Sequence, residues 1–330
     1  MNTPPTLREN SILTEPGWLP FSLRHDGARL VVDWCKLADA GLAEPFFDQS
    51  IQQRLRDNPQ ALLTTTVETL TDLNAQRAVR KPAGFIFHVS RCGSTLIAQM
   101  LSAMRQCAVF SEPAILETLL RGTYQPAKVA REPQQWLLQA IMQALVSHRT
   151  DCHGAFIKFT ARATLDYPRI TQAYPSVPYI FVYREPVEVL VSLVGSQAEH
   201  LPPGLETAGL LDDEPQAIKR MRPADFWARV LARHYATALE MCRNTQPLLV
   251  NYHQLPAAVW TDIVRHFGIA LSADEATRLH AVSARSAKAP GQRFSDDRAA
   301  KRAAATTEIR ELAKRFVQPY YDRLESLRMG

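Results

Sequence analysis

A cation, a glycine and two hydroxyls stand together at Ser90-Arg91-Cys92-Gly93-Ser94-Thr95, the composition of a turn that cradles a phosphate. Glycine lets the backbone approach an anion, and the N–H groups of a first helical turn point at it with the helix dipole behind them. Ser94 and Thr95 are placed to cap those groups and to donate to phosphate oxygens, while Arg91 supplies a fixed charge. A Walker loop would have glycine where His88 stands and lysine where Ser94 stands. Without that lysine the turn lacks the usual clamp for β- and γ-phosphates and their magnesium. One 5′-phosphate bearing a small leaving group suits it better. The plain alternative is a strand–turn–helix that binds nothing.

Two further segments carry candidate chemistry. In Tyr179-Ile180-Phe181-Val182-Tyr183-Arg184-Glu185-Pro186 an apolar run ends in an arginine, and Ser192 follows about two helical turns on. Proline at a helix start is favourable, because its missing N–H would be unpaired there anyway. Arg184 therefore sits at the carboxyl end of a parallel strand, where open α/β sheets bind ligands. The alternative is a surface arginine and a helix serine satisfied by its own backbone. In Val109-Phe110-Ser111-Glu112-Pro113 a short apolar strand ends in a carboxylate. Glu112 is either a reactive group or a cap for the helix expected over Ala114 to Leu120.

These groups need a scaffold. The run Phe85-Ile86-Phe87-His88-Val89 reads as a buried strand, and Leu96, Ile97, Met100, Leu101 and Met104 make one helical stripe after the turn. Strands near 84–89, 107–110, 154–159, 179–183 and 247–251 alternate with helices, which predicts an α/β fold with a three-layer, doubly wound parallel sheet of about five strands. Residues 1–80 read as a small α+β extension. It holds a strand at Ala28–Trp34, a helix carrying Phe46, Phe47, Ile51 and Leu55, and a helix over Ala61–Val79. This extension packs on the main domain 81–330, gates the acceptor site or forms a homodimer contact. Residues 198–223, dense in proline, glycine and acid, exceed an ordinary connector and read as a lid or a solvated excursion. The last helix carries Ile309, Leu312, Phe316 and Tyr320 as a core stripe, and Pro319 is expected to kink or restart it. His88 is expected to face the interior or the turn.

The turn resembles the 5′-phosphosulfate loop of P-loop sulfotransferases, with Cys92 and Ser94 as modest departures from Lys/Arg-Ser-Gly-Thr-Thr. What the resemblance implies follows from there. The donor substrate is 3′-phosphoadenosine 5′-phosphosulfate (PAPS), held at its 5′ end by Ser90, Arg91, Cys92, Gly93, Ser94 and Thr95. Its 3′-phosphate is held by Arg184 and Ser192. Glu112 lies where the tyrosylprotein branch has a catalytic glutamate. Cytosolic members use a histidine two residues after a lysine on the next strand; here Lys158 matches the lysine, but Thr160 fills the histidine's place. The catalytic set implied is thus Glu112, Arg91 and Lys158. A late basic loop closes over the 3′-phosphate in the family, a part that Lys288 and Arg293 would take, although the Arg-Lys-Gly signature is absent. The activity implied is sulfuryl transfer to a hydroxyl or amine of a small-molecule, peptide or glycan acceptor. A P-loop nucleotide-dependent kinase with an atypical loop and a non-catalytic nucleotide-binding relative are the rivals.

Composition narrows the classes. The 330 residues are 46% hydrophobic, enough for a sizeable core. A net charge of +5 spread along the chain suits a polyanionic small ligand better than a nucleic-acid track, and no nucleic-acid partner is expected. The five cysteines show neither CxxC pairs nor metal spacing, the nine histidines no paired spacing. No metal, no membrane span and a cytoplasmic location are the expectations.

Overall fold

The computed structural model describes residues 9–37, 42, 44–76, 78–123, 133–148, 152, 154–195, 209–284 and 297–330. Its strands are β1 (Trp18–His25), β2 (Leu30–Lys36), β3 (Leu62–Thr66), β4 (Gly84–His88), β5 (Cys107–Ser111), β6 (Gly154–Lys158), β7 (Tyr179–Tyr183) and β8 (Leu248–Asn251). β1, β2 and β3 form an antiparallel sheet in that order, with Val32 opposite both Leu23 and Thr65. β2 matches the expected strand from Leu30 on; Ala28 and Arg29 belong to the turn before it, where Asp26 Oδ1 accepts from both their N–H groups. β1 was not anticipated: Pro20 interrupts it beside a register shift, which an edge strand tolerates.

The helix expected over Ala61–Val79 is corrected. Leu62–Thr66 is β3, and the α-helix runs only over Glu68–Gln76. Three successive threonines are stiff at χ1 and favour extended backbone. β2 uses two of them: Thr64 donates to Asp33 Oδ1 at 2.6 Å, and Thr65 accepts from the Trp34 indole at 2.9 Å.

β4 to β8 make a five-stranded parallel sheet in the order β5-β6-β4-β7-β8, on the strands the sequence predicts. Every residue of β4, β5 and β7 is buried, as strands covered on both faces should be. The chain leaves β4 toward β5 on one side and later builds β7 and β8 on the other. The carboxyl end of β4 is therefore a topological switch point, the place where open α/β sheets bind ligands.

Two compact units divide the chain. One comprises residues 1–85, 98–159 and 168–177; the other comprises 86–97, 160–167 and 178–330. In the first, Phe85 meets Phe159 and Tyr174 edge-on, and helices Ala114–Arg121 and Pro133–Val146 pack on β1. In the second, helix Pro223–Asn244 presents Tyr235 to Tyr183 and Tyr321, and Phe226 and Val230 to Leu210, Leu211 and Ile218. Those last three residues belong to the described end of the irregular 198–223 stretch.

The closing stripe is also corrected. The buried positions are Ile309, Ala313, Val317 and Leu324, while Tyr320 is exposed. A π-helical turn at Ala313–Val317 shifts the phase ahead of Pro319, which has no N–H for the turn before it. Helix Gln318–Met329 restarts there, with proline in its first turn.

Candidate functional site

β4 ends at His88 and the chain turns through Val89–Gly93, in the second unit, into helix Ser94–Ser102. His88 is buried, as expected, and its ring contacts the Val89 carbonyl at 2.9 Å. Gly93 has φ 85°, and a Cβ there would stand 2.8 Å from Leu255 Cδ1 and 2.9 Å from Tyr252 Cδ2. Only glycine fits both the backbone and the space. The Gly93 carbonyl takes the first helical bond, from Leu96 N–H at 3.0 Å. As at any helix start, the N–H groups of Ser94 and Thr95 have no partner within the helix. Cys92, Ser94 and Thr95 are buried, and Ser90 and Arg91 half-buried.

Arg91 and Arg184 bring the turn and the β7 end together. Arg91 Nε donates to Ser192 Oγ at 2.8 Å, and Arg184 Nη1 donates to the Arg91 carbonyl at 3.4 Å. Arg184 is only 4% exposed, so it is no surface arginine. Its Nε donates to Glu188 at 2.8 Å, its Nη2 to Asp297 at 2.6 Å, and its guanidinium stacks 3.9 Å from the Tyr252 ring centre. Glu188, fully buried, also accepts from Arg302 Nε at 2.8 Å. The Tyr235 hydroxyl donates to the Arg184 carbonyl. Burial works against the arginine's charge, but the bonds to Asp297 and Glu188 outweigh it and raise its pKa. Glu188 was within reach of sequence reading, as an i,i+4 partner of Arg184. Asp297 and Arg302, far along the chain, carried no local signal. Lys288 and Arg293 lie outside the described residues.

The first unit holds the other candidates. Glu112 follows β5 directly, and its N–H donates to the Lys158 carbonyl at 2.7 Å, carrying the β5–β6 ladder one residue past the strand. The Lys158 ammonium is fully buried, ion-paired with the Glu112 carboxylate and 5.5 Å from the Phe46 ring centre. The helix after Glu112 does form, as Ala114–Arg121, but Asp48 caps it: its Oδ2 accepts from Ala114 N–H at 3.0 Å. Burial, with the negative charge of Glu112 as a lesser cause, pushes the Asp48 carboxyl up to about 6, against the hydrogen bond from Ala114. Neither Phe46 nor Asp48 was singled out by sequence. Thr160, in the second unit, accepts from Ala163 N–H at 3.3 Å, a turn-stabilising role.

Backbone conformation marks the same positions. Arg91 (φ 63°) and Glu112 (φ 54°) are the non-glycine residues of positive φ among those described. Such conformations cost about 1–3 kcal/mol each and persist where the surroundings over-determine them, commonly at functional sites. One more buried group stands near the turn. His234 has no hydrogen-bond partner at Nε2 among the described residues, and burial together with His88, Arg233 and Arg162 drives its pKa down to about 3. Among the described residues, no helix is long and apolar enough to cross a membrane, and no three metal-ligating side chains gather.

No protein-family model and no curated protein matches the chain. Several solved structures resemble it. A sulfotransferase from Alicyclobacillus acidocaldarius is 17% identical over 76% of this chain and 97% of its own, at a TM-score of 0.46. Sulfotransferase STF9 from Mycobacterium avium is 12% identical over 85% and 82%, at 0.46. The sulfotransferase domain from the curacin biosynthetic pathway is 14% identical over 72% and 98%, at 0.42. At such identities the residues of the two clusters, rather than the likeness, carry the functional argument.

Proposed function

We propose that the chain is a sulfotransferase that moves a sulfuryl group from PAPS to a hydroxyl or amine by in-line displacement. The observation that supports this most is the join at Arg91, which donates to Ser192 while its own carbonyl accepts from Arg184. Two segments distant in sequence, the turn and the end of β7, meet there, as a ligand with separated 5′ and 3′ anionic ends requires. A helix terminus contributes about 0.3–1 kcal/mol toward an anion, and a charged hydrogen bond about 1.5–3. Micromolar affinity needs about 8 kcal/mol, so both ends must be gripped through several such bonds. Arg91 with the turn N–H groups, Ser94 and Thr95 serves the 5′ end; Arg184 and Ser192 serve the 3′-phosphate.

In the reaction the acceptor oxygen or nitrogen forms a bond to sulfur as the bond from sulfur to the bridging oxygen breaks. Glu112 takes the acceptor's proton. Lys158 and Arg91 balance the charge that grows on the departing oxygen, and 3′-phosphoadenosine 5′-phosphate leaves. Lys158 is suited to this because an ammonium is a point charge that changes partners readily. The acceptor is a small molecule, peptide or glycan.

Calorimetry with 3′-phosphoadenosine 5′-phosphate against ATP–magnesium tests the reading. Micromolar binding of the bisphosphate without comparable ATP binding is expected. Metal-dependent ATP binding with no response to the bisphosphate would replace it with a P-loop kinase.

A further inference from the structure

We propose that Asp48, from the N-terminal extension, is a positioning residue for Glu112: it caps the helix that follows Glu112 and sets the electrostatic surroundings of that carboxylate. The inference rests on Glu112 being the base of the proposed transfer. It gives the otherwise unassigned residues 1–80 a part in the reaction.

Three consecutive residues of the extension bracket the Glu112 turn. Phe46 lies against the Lys158 ammonium, its ring centre 5.5 Å away, and Phe47 packs on Phe110 of β5 at 6.1 Å between ring centres. Asp48 reaches the N–H of Ala114, two residues past Glu112. Helix Ala114–Arg121 has Pro113 at its N-cap with no side-chain cap of its own, so Asp48 supplies from elsewhere in the chain what the local sequence lacks. Helix Phe47–Asp57 has no side-chain cap at its start either, and its first-turn acid is turned to Ala114. Phe110 and Ala114 flank the strained residue on both sides. A left-handed glutamate persists only where its neighbours hold it, and these contacts do so.

The charges around Asp48 explain why a carboxylate stands there. Asp48 faces the Ala114 N–H at the helix start, its own backbone N–H and the Glu112 carboxylate, which is ion-paired with Lys158. An ion pair with lysine makes a carboxylate a weaker base, and a second negative charge nearby restores its proton affinity. Asp48 thus offsets part of what Lys158 takes from Glu112. The raised proton affinity of Asp48 itself, about 6, is partly the other face of this repulsion, since coupling between two sites is reciprocal.

The test is Asp48→Asn in the full chain, whose amide oxygen still caps Ala114. Carboxyl groups of 13C-labelled protein are titrated by NMR, and bisphosphate affinity is measured alongside. Loss of the negative neighbour should lower the Glu112 midpoint, with bisphosphate affinity unchanged. An unmoved midpoint overturns the inference, as does an equal loss of bisphosphate affinity, which would signal general damage. If Asp48→Asn does not fold, the converse decides: in Glu112→Gln the Asp48 midpoint must fall, and a constant one overturns the proposal. In the parent, absence of bisphosphate binding would sink the sulfotransferase reading while leaving these titrations to settle the role of Asp48.

Discussion

Arg184 and Lys158 are both buried cations at the carboxyl ends of strands, yet they are held differently. Arg184 spends its fork on Glu188, Asp297 and the Arg91 carbonyl, with the Tyr252 ring beneath it. Lys158 has the Glu112 carboxylate and one aromatic ring, Phe46, and that carboxylate is 26% exposed. A planar guanidinium fixed by several acceptors is built to keep its position; a point charge with a partly exposed partner is built to exchange it. On the proposed reading, the contrast separates a region for holding anions from one for moving a proton. It predicts that damage to the first appears in affinity and stability, and damage to the second in turnover.

The largest effect tests the fixed side. Arg184→Ala leaves Glu188 fully buried with Arg302, itself 59% exposed, as its cation. Breaking a buried pair from one side typically costs about 3–5 kcal/mol, so the urea midpoint should fall steeply. Bisphosphate affinity should fall far more than affinity for 5′-AMP. Removing Glu188 in the same protein should recover part of the stability but none of the affinity. A variant as stable as the parent would mean that Glu188 is served well enough without Arg184, and the contrast would lose its first half.

Next in size is Glu112→Gln. Turnover should drop by roughly 10²–10⁴-fold, the range for loss of a general base, with bisphosphate affinity nearly intact. Transfer at the parent rate would remove Glu112 from the chemistry. A matching loss of affinity would erase the division between the two regions.

What could be read in advance follows the same boundary between local and distant. The turn 90–95, the five parallel strands and the Arg184–Ser192 segment are each contiguous, so composition and periodicity reveal them. β3 was misread because Leu62 and Leu63 followed by threonines fit an apolar run of either kind, and pairing with Asp33 and Trp34 decided between them. The closing stripe failed because a π turn changes the helical period. Asp48, Asp297 and Arg302 act on partners far along the chain. No window of sequence contains both members of such a pair, and only the fold brings them together.

A pH measurement sharpens the contrast from the proton-moving side. The Asp48 carboxyl stands at about 6 in the folded chain and near 3.8 unfolded. Between those values the folded state keeps a proton that the unfolded state has lost. Asp48 therefore favours folding at low pH and loses that contribution as pH rises through 6. Asp48→Asn removes the effect. The stability difference, variant minus parent, should grow from pH 4 to pH 7, reaching at most about 3 kcal/mol. On the fixed side His234 works oppositely. Its pKa near 3 means that the unfolded chain takes up a proton below 6.5 that the folded one refuses, so stability falls with falling pH. Parent and variant share this slope, and it cancels in the difference. A flat difference would show that Asp48 titrates like an exposed carboxylate.

The smallest effect probes the join itself. Ser192 is buried and accepts from Arg91 Nε at 2.8 Å, although its proposed role is toward the 3′-phosphate. Ser192→Ala removes one hydroxyl beside a half-buried guanidinium that water can still serve. The loss is therefore that of one ordinary hydrogen bond, about 0.5–1.5 kcal/mol, or roughly 2–12-fold in affinity. Bisphosphate and 5′-AMP distinguish the two uses of the serine. Direct contact with the 3′-phosphate weakens the bisphosphate alone, which is the expected result. Equal weakening of both ligands would mean that Ser192 acts by aiming Arg91 at the 5′ end. Arg184 would then hold the 3′ end without the serine, and the anion-holding region would divide into two subsites that share only the Arg91 carbonyl.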